Sequence, residues 1–315
     1  MNDNQKSESE SDIFWTEYSP TPRIGEIIDQ YKIVKKMVET NCSILMLSID
    51  QRDGSDKVLK FVKYKKSHKD KYDSEVKIMK IFNHPNILKY EFSLFRPPYL
   101  IIALKYAPYG NLADFMNKYY KYGIPEDIVR QLMKQILSSV NCLHKHGIWH
   151  RDIKPQNFLV FEKQPNIKIK LADFGFAKQF RTNEKGKDFI GTPSFSAPEI
   201  HLREVYTNAV DIWSIGITMY VLLVNRSPFN ERIFRCPLSK QIIDGKLNLN
   251  SLRLSNISEE AIDIIRKMCR SNPYRRPSAE QLLKDDWIMA NDEIKNNEND
   301  QKIEEKNKSD GLKNE

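Results

Sequence analysis

The chain has 315 residues, 40% of them hydrophobic, and carries 50 Lys and Arg against 42 Asp and Glu for a formal net charge of +8. That is enough to bury a sizeable core. Cys42, Cys142, Cys236 and Cys269 stand apart without C-x-x-C spacing, which argues against a zinc or disulfide framework and for a reducing compartment: the cytoplasm is expected, with the nucleus left open. The longest apolar run, Ile215 to Val224, is too short for a bilayer and Asn2 replaces the glycine that N-myristoylation needs, so a soluble, membrane-free monomer is expected.

The basic excess lies in the body of the chain, because residues 1–17 and 291–315 are each net acidic. Such a body either attracts acidic partners or simply presents a solvated lysine-rich surface, and no nucleic-acid motif accompanies it. Residues 1–17, with Ser7, Ser9 and Ser11 set between acids, are expected to form a disordered tail, interrupted by an Ile13-Phe14-Trp15 cluster that would dock on the body. Residues 291–315 are expected to form a second charged tail.

Between the tails, Tyr31–Val38, Ser43–Ile49 and Lys57–Tyr64 have strand composition, and Asp53-Gly54 supplies a turn between the second and third. Side chains on a strand alternate faces, so Lys60 and Lys63 cannot share one. Glu75, Met79 and Phe82 recur at helical spacing before Pro85 ends the helix. Tyr99–Leu104 has the pattern of a buried strand. Pro125-Glu126-Asp127 opens a longer helix ending near Gly147, with Ile128, Leu132, Ile136 and Val129, Met133, Leu137, Val140 as adjoining apolar stripes.

The helix leads into His150-Arg151-Asp152-Ile153-Lys154-Pro155-Gln156-Asn157, followed by Asp173-Phe174-Gly175. These residue types suit phosphoryl transfer, whose loose, highly charged transition state needs metal, cations and an oriented nucleophile. Asp152 would accept the proton of an attacking hydroxyl, Asn157 and Asp173 would hold Mg2+ through hard oxygens, and Lys154 would steady the γ-phosphate.

Both motifs, intact and in order, resemble the H-R-D-x-x-x-x-N and D-F-G signatures of eukaryotic protein kinases. The resemblance runs from Tyr31 to Trp287. Lys154 and the run Gly191–Glu199 are similar to the serine/threonine type, and the large lobe resembles calcium/calmodulin-dependent kinases, although no calmodulin-like helix or EF-hand loop is evident. The family implies an α+β, bilobal fold: an N-lobe with its leading segment over 18–104, β-rich with one main helix, a hinge at 105–110, and a mostly helical C-lobe over 111–290. It implies ATP and Mg2+ as cofactors and protein substrates as partners. Lys60 would contact the phosphates and pair with Glu75. Leu104 would be the gatekeeper, the backbones of Lys105 and Ala107 would meet adenine, and Met37, Val38, Thr40, Ser43 and Leu45 would complete the nucleotide site.

The resemblance also places Thr192 against Asp152 and Lys154, Glu199 against Arg276, and Asp211 under the catalytic-loop backbone. Asp188 stands where many kinases carry a phosphorylated threonine, and would pair with Arg151 without phosphorylation. Asn111, Gln156 and Val221 stand where arginine-directed kinases carry acids, which implies an acidic or neutral target sequence. One departure is large: Val38, Thr40 and Ser43 replace the three glycines of the phosphate loop. A pseudokinase or scaffold therefore stands as the alternative to an active enzyme, and a kinase held off until a partner binds its tails is compatible with either. The backbone N–H groups that glycine and other residues share are the argument for retained nucleotide contact.

Overall fold

The computed structural model describes residues 21–64, 69–229 and 236–290. The expected tails, including Ile13-Phe14-Trp15, lie outside these residues. Six strands, β1 (Ile27–Ile28), β2 (Tyr31–Glu39), β3 (Ser43–Asp50), β4 (Asp56–Lys63), β5 (Tyr90–Arg96) and β6 (Tyr99–Lys105), form one antiparallel sheet in the order β1-β2-β3-β4-β6-β5.

Alternation gives the sheet two different faces. Ile33, Ile44, Met46, Leu59, Phe61, Ile101 and Ala103 are buried together as the small lobe's own core. On the opposite face Leu45 lies beside Lys60 and Lys60 beside Ile102, while Val58 pairs with Leu104. Helix α1 (Lys69–Ile81) follows β4, and its Ile78 and Met79 pack with Val62, Ile102 and the large-lobe core. Register shifts between Ile33 and Lys35 and between Lys36 and Val38 disturb β2, whose end leaves Met37 and Val38 exposed by somewhat under half.

The large lobe is built on α2 (Leu112–Tyr119), α3 (Glu126–Lys145), α4 (Ala209–Val224) and α5 (Glu259–Met268). Both predicted stripes of α3 are buried apart from Ile128, which is partly exposed. Apolar nearly all round and buried at every position but Val221, α4 is the central core helix. It meets α5 at Gly216, where a Cβ would come within 2.5 Å of Cys269 Sγ and 3.0 Å of Met268 Cβ. A side chain there would force the two helices apart.

The expected link at 105–110 is one residue shorter than that span, because Lys105 ends β6 paired with Lys57. Tyr106 to Gly110 make the connection, and Gly110, at φ +70°, donates to Ala107 O at 3.2 Å. No described helix is long and apolar enough to cross a membrane.

Candidate active site

The strands β7 (Ile148–Trp149), β8 (Phe158–Glu162) and β9 (Lys168–Leu171) frame the His-Arg-Asp loop. Pairing of Phe158 with Leu171, extended by a bond from Ala172 N–H to Asn157 O at 2.8 Å, brings the residues before β8 beside those after β9. One hairpin thus carries Asn157 on one limb and Asp173 on the other. The loop is fixed from below by Asp211 in the first turn of α4. Its fully buried carboxylate accepts the His150 N–H at 2.9 Å and the Arg151 N–H at 2.7 Å, and bonds His144 Nε2 at 2.8 Å. These bonds hold Arg151 at φ +65°, a left-handed conformation costly for a non-glycine residue. Burial raises the Asp211 carboxyl, but His144, His150 and the Arg151 N–H outweigh it and leave the group below its ordinary value.

Lys154, Asn157 and Thr192 converge on the Asp152 carboxylate. Asp152 Oδ1 accepts the N–H and the hydroxyl of Thr192 at 2.9 and 2.7 Å, while Oδ2 accepts the Asn157 amide at 3.0 Å and lies 2.8 Å from Lys154 Nζ. Lys154 Nζ also donates to Thr192 Oγ1 at 2.6 Å. The carboxylate is thereby held in one orientation. The Asn157 amide nitrogen is committed to Asp152 O as well, at 2.7 Å, so its carbonyl oxygen remains as a ligand atom.

Across the cleft Lys60 Nζ lies 2.9 Å from Glu75 Oε1 and 3.5 Å from Asp173 Oδ1. Burial favours the neutral amine, but the two carboxylates outweigh it and hold Lys60 above its ordinary value of 10.5. Lys63 is exposed on the other face, as alternation requires. Burial pushes the Asp173 carboxyl up, while Lys60, His150 and the Gly175 N–H bring it below its ordinary value, so it is ionised near neutral pH. Phe174, itself buried, meets the His150 ring edge-on at 5.4 Å. An ionised, half-exposed carboxylate and an amide oxygen suit a hard cation that takes its other ligands from phosphate or water. No described cluster of three His, Cys, Asp or Glu offers a competing metal site.

Arg151 makes three further bonds, two of them to the stretch between Gly175 and Ala197: Nε donates to Phe176 O at 2.8 Å, and Nη1 to Asp188 Oδ2 at 3.1 Å and Tyr206 OH at 2.9 Å. Tyr206 is itself bridged to Gly186 by a pair of backbone bonds, each 3.0 Å. A Cβ on Gly186 would fall 2.1 Å from the Tyr206 ring. His144 and Tyr206 were not legible from local sequence, since neither belongs to the loop it braces.

The remaining expected nucleotide residues occupy the cleft-side sheet and the linker. Leu45 and Leu104 are half-buried near Lys60, and Ala107 is buried, while Met37, Val38, Thr40 and Lys105 are exposed. The backbone N–H groups of the β2–β3 loop, counted on for phosphate contact, are largely used within the loop: Thr40, Cys42 and Ser43 N–H all have acceptors there. Asn111 caps α2 through Asp114 N–H at 2.9 Å and donates to the Asp114 carboxylate at 2.7 Å. An acid therefore does stand beside one of the three positions read as neutral.

A sequence model described as protein kinase domain matches residues 31–288. Calcium-dependent protein kinase 5 of Plasmodium falciparum (isolate 3D7) is 32% identical over 265 residues, which cover 84% of this chain and 46% of that protein. The chain spans about half the length of this curated relative.

Proposed function

The chain belongs to the protein kinase family, and we propose that within it the chain is an active serine/threonine kinase that transfers the γ-phosphate of Mg-ATP to protein hydroxyls. The observation that carries this reading is the hydrogen-bonded arrangement of Asp152, Lys154, Asn157 and Thr192 opposite the Lys60–Glu75 pair. Positioning and electrostatics supply most of the acceleration in phosphoryl transfer, and these are the parts that do it.

Asp152 orients the substrate hydroxyl and takes its proton, with Thr192 and Asn157 keeping the carboxylate turned into the cleft. Lys154 offers positive charge beside it, and Lys60, set by Glu75, meets the nucleotide phosphates. Magnesium, when bound, neutralises those phosphates; Asn157 Oδ1 and the Asp173 carboxylate would hold it. Lys154 two residues after Asp152 supports a serine or threonine acceptor. Gln156, Val221 and the basic body support an acidic or neutral target sequence, and the free cysteines support a reducing, cytoplasmic setting.

The test is transfer of labelled phosphate from Mg-ATP to generic protein substrates. Wild type is expected to transfer, with Asp152→Asn and Lys60→Met each lowering the rate at least about 100-fold. No transfer and no nucleotide-dependent thermal shift by wild type would instead favour the scaffold reading, for which the altered phosphate loop is the supporting observation; nucleotide binding without transfer would point to a missing activator.

A further inference from the structure

The loop between β2 and β3 is closed by one side chain. Thr40 Oγ1 accepts the Cys42 N–H at 3.3 Å and the Ser43 N–H at 3.1 Å. The Thr40 N–H donates to Ser43 O at 2.8 Å, and its hydroxyl proton has the same carbonyl as acceptor at 3.2 Å, with Ser43 Oγ at 3.3 Å. The turn is also pinned to the sheet, since Lys63 N–H donates to Cys42 O at 2.9 Å. An oxygen of the chain therefore accepts from the N–H groups that an anionic oxygen would otherwise engage.

Threonine at this position has a consequence that glycine would not. Glycine carries no side-chain oxygen, so the same turn would leave the Cys42 and Ser43 N–H groups open to a ligand. We infer that Thr40 is an internal latch on the phosphate loop: nucleotide phosphates gain the Cys42 and Ser43 N–H groups only after the Thr40 hydroxyl lets them go. The identity of the ligand rests on the kinase reading of the cleft. Because only the unlatched loop makes these contacts, the phosphates add less to affinity than in a loop with glycine at 40, while the adenosine part, held at Leu45, Leu104 and the linker, is unaffected. The latch thus sets how far the site prefers ATP over adenosine.

The test compares the Kd of Mg-ATP and of adenosine for the full chain, by calorimetry, in wild type, Thr40→Gly, Thr40→Val and Thr40→Ser. Releasing one or two donors worth the usual net hydrogen bond predicts Mg-ATP binding about three- to tenfold tighter in the Gly and Val variants. Adenosine binding should not change, and the Ser variant, which keeps the oxygen, should match wild type. Unchanged adenosine binding also reports that each variant is folded. Mg-ATP binding no tighter in Gly and Val, an equal gain for adenosine, or no binding in any of the four proteins would overturn the latch. Wild type that binds too weakly to measure beside a Gly variant that binds Mg-ATP would support it. Phosphate transfer by wild type decides the kinase reading independently, so the two failures are distinguishable.

Discussion

Asp188, expected to stand in for a phosphate, shows how modest an exposed ion pair is. Its carboxylate lies 3.1 Å from Arg151, but 63% of the Asp188 side chain is exposed, and exposed pairs contribute only about 0.2–1 kcal/mol. Arg151 is held as well by Tyr206 OH and Phe176 O, both less open to water. Asp188→Ala is therefore expected to lower the transfer rate about two- to fivefold without abolishing it, as read from initial rates at saturating Mg-ATP. An unchanged rate would mean that Tyr206 and Phe176 order the segment alone. At this scale the sequence was most legible where geometry is local. Strand alternation alone separated Lys60 from Lys63, whereas the Thr40 bonds depend on how tightly one turn closes, which residue type does not dictate.

Among the elements, α3 was readable in advance because its apolar period, its proline and its first-turn acids all agree. Strand β5 was not, since Tyr90–Arg96 is an edge strand with partly exposed residues and no clean alternation. Helix α2 is short and depends on the Asn111 cap. Nor does periodicity reveal what the first turn of α3 holds. Glu126 Oε1 accepts from Ser258 Oγ at 2.6 Å and Trp287 Nε1 at 2.8 Å, and Oε2 accepts the Ser258 N–H at 2.9 Å. One carboxylate thus ties α3 to the N-cap of α5 and to the short helix Asp286–Met289. Burial raises the Glu126 carboxyl, yet Ser258, Trp287 and Arg130 bring it below its ordinary value of 4.5. A depressed carboxyl stabilises fully above that ordinary value and less as pH falls through the lower, folded one. Glu126→Gln should cost about 1–2 kcal/mol near pH 7, with the gap from wild type narrowing below pH 4.5 in melts across that range.

For the molecule as a whole, the pairing hardest to see from local pattern is Arg276 with Glu199. The guanidinium donates to both carboxylate oxygens, at 2.7 and 2.8 Å, and further to Arg270 O, Ala209 O and Ser271 O. It also lies over Trp213, 5.2 Å from the ring. Only family resemblance joined residues 77 positions apart. Arg276→Met would leave Glu199 charged and buried without a partner, at a cost of about 3–5 kcal/mol, and the melting temperature should fall by about 10 °C in a scan at neutral pH. Lysine is no remedy, because it cannot form the fork.

Asp211 should give the loop at His150 and Arg151 a slow clock. A surface loop ordinarily exchanges its amide hydrogens in brief local openings. The His150 and Arg151 amides instead donate to a carboxylate at 0% exposure on the central helix, so opening them means breaking into the core. Deuterium uptake at these two amides should keep pace with the slowest amides of α4, in a plot against time, and Asp211→Asn should release them to the rate of the surrounding loop. In its motions, the chemistry would then belong to the core of the large lobe and not to its surface.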